Sequence, residues 1–171
     1  MFREVDRTSH RLRGPHPCGR WLFVFLLLLA GRTSAEDATS LVGTWRLDFA
    51  GSTFASGPPV YVRVTCKIEP WNDGLKVTYD MVGERGGVTH WEWTGRLDGK
   101  DYPLQGIEEV VTNAYRRVGD RAYEVVAKID GRITATTRIV ISPEGTVMTV
   151  TSPASDAHGR RVLNTAVYKK R

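Results

Sequence analysis

Positions 60–69 of the chain read VYVRVTCKIE, a stretch in which apolar and polar side chains alternate without a break. Successive side chains of a β-strand point to opposite faces of the sheet, so this period of two predicts a half-buried strand. The residues PWNDG at 70–74 predict a turn, after which Leu75, Val77, Tyr79 and Met81 alternate with polar residues. The predicted apolar face of the first strand holds Val60, Val62, Val64, Cys66 and Ile68.

The same alternation recurs along the rest of the chain. It predicts strands at 41–49, 89–95, 109–118, 122–130, 132–141, 146–151 and 162–170, and a short additional one at 101–104. Asp130-Gly131 favours a tight hairpin between two of them. Short turns between consecutive strands are typical of an antiparallel meander, and closure removes exposed sheet edges. The predicted fold is therefore all-β, a single antiparallel up-and-down β-barrel of about 9–10 strands, with a β-sandwich as the alternative.

Residues 1–35 have the pattern of a secretory signal peptide. Arginines precede the apolar run WLFVFLLLLA at 21–30, and Thr33-Ser34-Ala35 offers small residues for cleavage. As a helix, ten residues rise about 15 Å, about half of a bilayer's hydrocarbon core, so a membrane span is the weaker interpretation. No Cys follows the run at a lipidation position. We expect a signal peptide helix at 1–35, a barrel domain at 36–171, no stable membrane anchor after cleavage, and a periplasmic or extracellular location.

The positive charge of the chain belongs mostly to its first 35 residues. They hold six of the 24 basic and two of the 19 acidic residues, which leaves 18 basic and 17 acidic residues in 36–171. A nearly neutral domain lacks the clustered positive face of a nucleic-acid-binding protein, so no nucleic-acid partner is expected. Cys66 is the only cysteine after position 35, which excludes an internal disulfide in the barrel domain.

Two terminal segments resemble the calycins, the group of lipocalins and fatty-acid-binding proteins. LVGTWRL at 41–47 resembles their first-strand G-x-W signature, and TAVYKK at 165–170 resembles the T-R-x-Y-x-K closing strand of fatty-acid-binding proteins. The chain is also similar to small exported lipocalin-like domains of bacteria. Two departures stand out: Ala166 occupies the place of the carboxylate-binding Arg, and residues 50–59 are too short for the helical lid. The resemblance implies a barrel that binds a small hydrophobic molecule, but not fatty-acid binding by the family's mode.

Aromatic residues are the strongest candidates for a binding site. Two hypotheses account for their inward positions. In one, they line a pocket of roughly 300 Å³ or more for a flat or aliphatic ligand. In the other, they fill the core of a structural or protein-interaction module of the cell envelope, with no cavity larger than about one water. The candidate ligand-binding residues are Trp45, Tyr79, Trp91, Trp93, Tyr123 and Tyr168.

The sequence offers no catalytic or metal-binding constellation. No carboxylate pair points inward, and Cys66 lies among valines, where burial blunts thiol reactivity. His90 and Glu92 share the outward face of one strand, but two ligands do not complete a tetrahedral site. We therefore expect no enzyme activity, no metal and no cofactor. An enzyme would need a polar cluster around Asn113, Tyr115 and Arg117, where the alternation is least clear.

Overall fold

The computed structural model describes residues 40–171 except 56, 58, 59 and 157, and the predicted signal peptide lies outside this range. The described residues form ten β-strands and no helix. The described residues thus include no helix that is long and apolar enough to cross a membrane. The strands are β1 (Gly43–Thr53), β2 (Tyr61–Trp71), β3 (Gly74–Gly83), β4 (Val88–Gly95), β5 (Tyr102–Gln105), β6 (Val111–Gly119), β7 (Ala122–Ile129), β8 (Arg132–Ile141), β9 (Val147–Ser155) and β10 (Arg161–Lys170).

Each strand pairs antiparallel with its sequence neighbours, and β10 pairs with β1 to close the barrel. At this closing seam Trp45 lies opposite Lys170 and Leu47 opposite Tyr168. The predicted all-β antiparallel barrel is thus confirmed, with the short tenth strand present as β5. Closure leaves no second sheet to pack against, which excludes the β-sandwich.

Residues with positive φ form the tight turns of two hairpins. Asp130 and Gly131 both have positive φ, 47° and 75°, as a two-residue type I′ turn between β7 and β8 requires. Asn72 adopts φ 51° in the turn between β2 and β3. The predicted turn at 70–74 is shorter in the structure, because Pro70 and Trp71 continue the pairing of β2 with Leu75 and Gly74.

The predicted inward and outward faces of the strands are correct through most of the barrel and wrong at two bulges. The sequence predicts Val60 and Val62 on the inward face, but Val62 is the unpaired residue of a register shift between Tyr61 and Arg63, and the two are 73% and 55% exposed. Alternation along 132–141 places Ile133 on the inward face as well, but a register shift next to Lys128 leaves it 65% exposed. A bulge inserts one unpaired residue, so every side chain beyond it changes face. The strand predicted at 146–151 extends further in the structure, because β9 continues to Ser155.

Candidate functional site

One end of the barrel is filled by side chains. We call it the closed end; it lies where β1 begins and β10 stops. Trp45 is fully buried there, and its indole Nε1 donates a 2.8 Å hydrogen bond to the carbonyl oxygen of Leu41. The Lys170 ammonium lies 5.0 Å from the centre of the Trp45 ring, a cation–π contact. The side chains that are fully buried in the barrel are Leu41, Trp45, Cys66, Leu75, Val77, Trp93, Tyr123, Ile141 and Met148.

The other part of the barrel encloses a cavity of about 350 Å³. It extends toward the open end, where β1 stops and β10 begins. This volume falls within the range of small-molecule sites, about 300–1,000 Å³. The residues that line the cavity belong to nine of the ten strands, all except β5, and to the connection after β1: Leu47, Phe54, Val64, Tyr79, Met81, Trp91, Asn113, Tyr115, Val125, Ala127, Thr137, Ile139, Val150, Ala166 and Tyr168.

An aromatic group forms part of the cavity wall. Tyr79 and Trp91 are opposite each other on β3 and β4, and their rings stack with centroids 4.3 Å apart and an interplanar angle of 21°. Tyr168 meets Tyr79 edge to face, with centroids 6.5 Å apart. Stacked and edge-to-face pairs are the favoured aromatic geometries, so these three rings hold one another in place. They present a rigid surface to any molecule in the cavity.

A polar group lies where the cavity meets the filled core. Cys66 is fully buried beside the cavity, and burial raises the pKa of its thiol to about 12. Burial also raises the pKa of the hydroxyls of Tyr79, Tyr115 and Tyr168, and the neighbouring Cys66 raises each further. We call these three residues the tyrosine cluster. Its hydroxyls are neutral at physiological pH, and Tyr79 lies directly opposite Cys66 in the pairing of β2 with β3, so the cluster is a group of uncharged hydrogen-bonding atoms.

The lining contains no charged side chain among the described residues. Its polar members outside the tyrosine cluster are Asn113 and Thr137, both neutral. Asn113 also accepts a 3.1 Å hydrogen bond from the indole of Trp93 through its backbone oxygen, which joins the cavity wall to the closed end. Ala166 lines the cavity with a methyl group. The site therefore offers hydrogen bonds without a counter-charge.

The six aromatic residues chosen from the sequence divide between the two parts of the barrel. Tyr79, Trp91 and Tyr168 line the cavity. Trp45, Trp93 and Tyr123 are fully buried and do not appear in the cavity wall. Tyr123 shares a 2.6 Å hydrogen bond with the Ser40 hydroxyl, and Trp93 packs against Tyr115 with ring centroids 4.2 Å apart. Both the pocket and the filled core that the sequence left open as alternatives are thus present, one above the other.

Asn113 and Tyr115 line the cavity but are not among the six candidate ligand-binding residues that the sequence predicts. Both lie on β6, opposite Ala127 and Val125 of β7. Directly paired residues of neighbouring strands point to the same face of a sheet. The inward phase of β7 was clear from its sequence, so pairing the two strands across their hairpin would have placed Asn113 and Tyr115 inside.

Phe54 and Ala55, the residues that directly follow β1, lie at the open end. Phe54 lines the cavity directly after β1, and the amide of the next residue, Ala55, donates a 2.8 Å hydrogen bond to the Asn164 side-chain oxygen. The Asn164 side chain makes this contact with the connection and is not in the cavity wall. Residue 54 is thereby fixed at the opening.

Exposed aliphatic side chains concentrate at the open end. Large apolar residues with more than a third of their surface exposed occur on or next to each of its five strand connections. Elsewhere on the described surface the comparable residues are Trp71, Val118 and Val140. We call the open-end set the aliphatic rim; it consists of Val60, Val62, Val88, Val110, Ile129, Ile133 and Leu163.

The outer face carries an ion-pair network centred on His90. Its Nδ1 lies 2.7 Å from Asp80 and its Nε2 3.5 Å from Glu92, which also bonds Lys76 at 2.8 Å. The Asp80 hydrogen bond is the main cause that raises the pKa of His90. Among the described residues there is no group of three or more His, Cys, Asp or Glu side chains placed to hold a metal. The network lies on the solvent-facing side of β3 and β4, away from the cavity.

Outer-surface grooves of similar volume are weaker candidates for a small-molecule site. One of about 470 Å³ crosses the outer face of β1 to β4 and is lined by exposed residues that include Arg46, Arg63 and Asp80. Small-molecule sites are concave and mostly apolar. The internal cavity meets both criteria and is the candidate site.

Comparison with known proteins gives no further assignment. No protein-family model matches the chain, and no curated protein matches its sequence. The closed ten-stranded antiparallel barrel is compatible with a calycin-like fold. Fold and cavity together define the class as an antiparallel β-barrel with one filled end and one internal cavity.

Proposed function

We propose that this protein is an exported, non-enzymatic carrier of a small apolar molecule, which it holds in the barrel cavity. The observation that carries the proposal is the cavity of about 350 Å³ lined by aromatic and aliphatic side chains. Apolar surface buried by a ligand contributes roughly 25 cal/mol per Å², which makes such a lining favourable for an uncharged, mostly apolar guest. The calycin-like architecture supports the same role by resemblance.

The chemistry of the cavity supports a carrier rather than an enzyme. Catalysis needs a nucleophile or a general acid or base whose pKa suits its task. The free thiol of the described residues is that of Cys66, and burial raises its pKa to about 12. A thiol with that pKa is protonated at neutral pH and does not attack.

Export is supported by the pattern of residues 1–35. Arginines, a ten-residue apolar run and small residues at 33–35 form the order of a secretory signal. We place the mature domain in the periplasm or outside the cell. A mature N-terminus at Glu36, read by N-terminal sequencing of protein from the native host, would support this; retention of residues 1–35 would contradict it.

A fluorescent probe and a cavity-filling variant test the binding function. N-phenyl-1-naphthylamine is neutral and brightens in apolar surroundings, so we expect it to bind the wild-type domain. Ala166→Trp places an indole in the cavity and should weaken binding about tenfold or more, because the guest and the new side chain need the same space. Native mass spectrometry of protein from its own host should then show a co-purified small molecule that Ala166→Trp lacks.

Val140→Trp is the matched control for this experiment. Val140 lies on the outer face of β8 and is 40% exposed, so the same indole placed there leaves the cavity unchanged. We expect wild-type affinity for the probe. Equal binding by wild type and both variants, or no binding by any of them, would contradict the carrier proposal.

The aliphatic rim supports a second candidate, a protein-interaction module of the cell envelope. Large exposed apolar patches on soluble proteins often mark contact surfaces. The simplest partner for such a ring is a second copy of the chain. Sedimentation velocity should then show a concentration-dependent dimer that the double variant Ile133→Ser with Leu163→Ser abolishes and Val140→Ser retains. A wild-type domain that stays monomeric would contradict this form of the candidate.

A further inference from the structure

The cavity combines hydrogen-bonding groups with a complete lack of charge among its described lining residues. Its polar groups are the hydroxyls of the tyrosine cluster and the side chains of Asn113 and Thr137. Hydroxyls and amides satisfy a neutral oxygen, but an ionised carboxylate in a low-dielectric site needs a cation as well. At position 166, on the closing strand, the cavity has an alanine methyl.

The tyrosine cluster lies toward the closed end of the cavity. Tyr79 lies opposite Cys66 and meets the Tyr168 ring edge to face with centroids 6.5 Å apart. Tyr115 packs against Trp93 of the closed end with ring centroids 4.2 Å apart. Cys66 pairs with Trp45 of the closed end on one side and with Tyr79 on the other. The tyrosine cluster therefore lies at the bottom of the cavity. Met81 and Phe54, nearer the open end, are apolar, and Asn113 lies opposite Ala127 at an intermediate level.

We propose that the cavity selects an uncharged molecule with a hydroxyl or carbonyl oxygen and rejects carboxylates, and that the tyrosine cluster binds this oxygen. The inference rests on the proposed carrier function and specifies its ligand class. The bound molecule points its oxygen toward Cys66 and its apolar part toward the open end. Fatty acids at neutral pH fall outside this class because they carry a carboxylate.

Three probes of one shape test the selectivity: naphthalene, 2-naphthol and 2-naphthoate, titrated into the wild-type domain at neutral pH by isothermal calorimetry. We expect 2-naphthol to bind tightest, about tenfold or more above 2-naphthoate, because the carboxylate loses its hydration without gaining a counter-charge. Naphthalene should bind more weakly than 2-naphthol by about 3- to 10-fold, the value of one net hydrogen bond.

Tyr115→Phe and Tyr168→Phe test the role of the hydroxyls. Each keeps the ring and removes one hydroxyl, so we expect 2-naphthol to lose about 3- to 10-fold in affinity while naphthalene is unaffected. Tyr123→Phe is the matched control, because its hydroxyl lies in the closed end and bonds Ser40 instead of lining the cavity. It should leave the affinity for all three probes unchanged.

The outcomes separate the two proposals. If 2-naphthoate binds as well as or better than 2-naphthol, the selectivity for neutral ligands is wrong although the carrier function stands. If the phenylalanine variants weaken naphthalene and 2-naphthol equally, the hydroxyls support the cavity shape and do not recognise the oxygen. If none of the three probes binds, the carrier function fails for molecules of this size, and the ligand class fails with it.

Discussion

Cys66 shows how position in a strand determines the chemistry of a side chain. Alternation along β2 places it inward between Val64 and Ile68, where it is 1% exposed and its thiol has a pKa of about 12. This inward position was predictable from the sequence, because both neighbours at i±2 are β-branched and apolar. The contact with Tyr79 was not predictable, since it depends on the register between β2 and β3.

The buried thiol should resist alkylation. We expect iodoacetamide at mildly alkaline pH to leave Cys66 unmodified in the folded protein and to modify it fully in guanidinium chloride, because only a thiolate in contact with solvent reacts. Peptide mapping by mass spectrometry locates the label on Cys66 and separates it from Cys18. Rapid labelling of Cys66 under native conditions would contradict its placement beside the cavity.

His90 predicts a pH dependence of stability. Its pKa is raised above the value in the unfolded chain, first by the hydrogen bond to Asp80 and then by Glu92. A raised folded-state pKa means that protonation favours the folded state. The stabilisation is therefore present below the unfolded pKa, near 6.5, and is lost as pH rises through the folded pKa.

The His90→Gln variant measures this contribution by urea unfolding across pH. We expect the variant to be less stable than wild type below about pH 6 and to approach it above about pH 8. The effect should be modest, because the pair is half exposed and solvent screens it. A stability difference that grows with pH would mean that the sign of the shift is wrong.

At the scale of strands and turns, the sequence predicts where the strands lie better than it predicts which face of the sheet each side chain occupies. Nine strands and a short tenth follow from alternation and turn residues, and the barrel has ten. The predicted face of Val62 is wrong because it is the unpaired residue of a bulge, and that of Ile133 is wrong because it lies beyond a bulge. A bulge adds one residue to one strand of a pair, and nothing in a single sequence distinguishes this residue from its neighbours.

Two glycines isolate the effect of backbone conformation in the hairpins. A methyl group at Gly131 or at Gly87 would meet no atom within 4 Å, but Gly131 has φ 75° in the β7–β8 turn. We expect Gly131→Ala to reduce the free energy of unfolding by about 1 kcal/mol, because L-residues disfavour this region. Gly87→Ala should be neutral or raise stability by up to about 1 kcal/mol, since alanine restricts the unfolded chain.

Thermal or chemical unfolding of the two alanine variants beside wild type checks this prediction. Both substitutions add the same methyl group in open space, so packing contributes equally to each. Equal effects of the two substitutions would show that φ at position 131 does not determine hairpin stability.

At the scale of the whole molecule, the sequence posed pocket and filled core as alternatives, and the barrel contains both. Three of the six aromatic residues predicted to bind a ligand therefore line the cavity, and the other three belong to the filled core. Tyr79, Trp91 and Tyr168 were identified because they alternate on clear strands, but alternation cannot tell how far along the barrel axis an inward residue lies. Trp45, Trp93 and Tyr123 are equally inward, and they occupy the closed end.

The hydrogen bond between Ala55 and Asn164 should control access to the cavity. Asn164→Ala removes the acceptor of the 2.8 Å bond that fixes the residue after Phe54, without changing the cavity lining. We expect association and dissociation rates of N-phenyl-1-naphthylamine to rise by a similar factor, with little change in Kd. Stopped-flow fluorescence measures both rates. A change in Kd with one rate unaltered would place Asn164 in ligand contact instead of at the opening.

Because Trp45 and its neighbours fill the closed end, the ligand of the proposed carrier would arrive and depart along a single path. A second molecule cannot enter through the closed end and displace the first. Exchange must then wait for spontaneous departure, so the speed of replacement is independent of how much competitor is added. The residence time of the ligand in such a carrier is determined by the barrel alone. The concentration of competing molecules in solution does not change it.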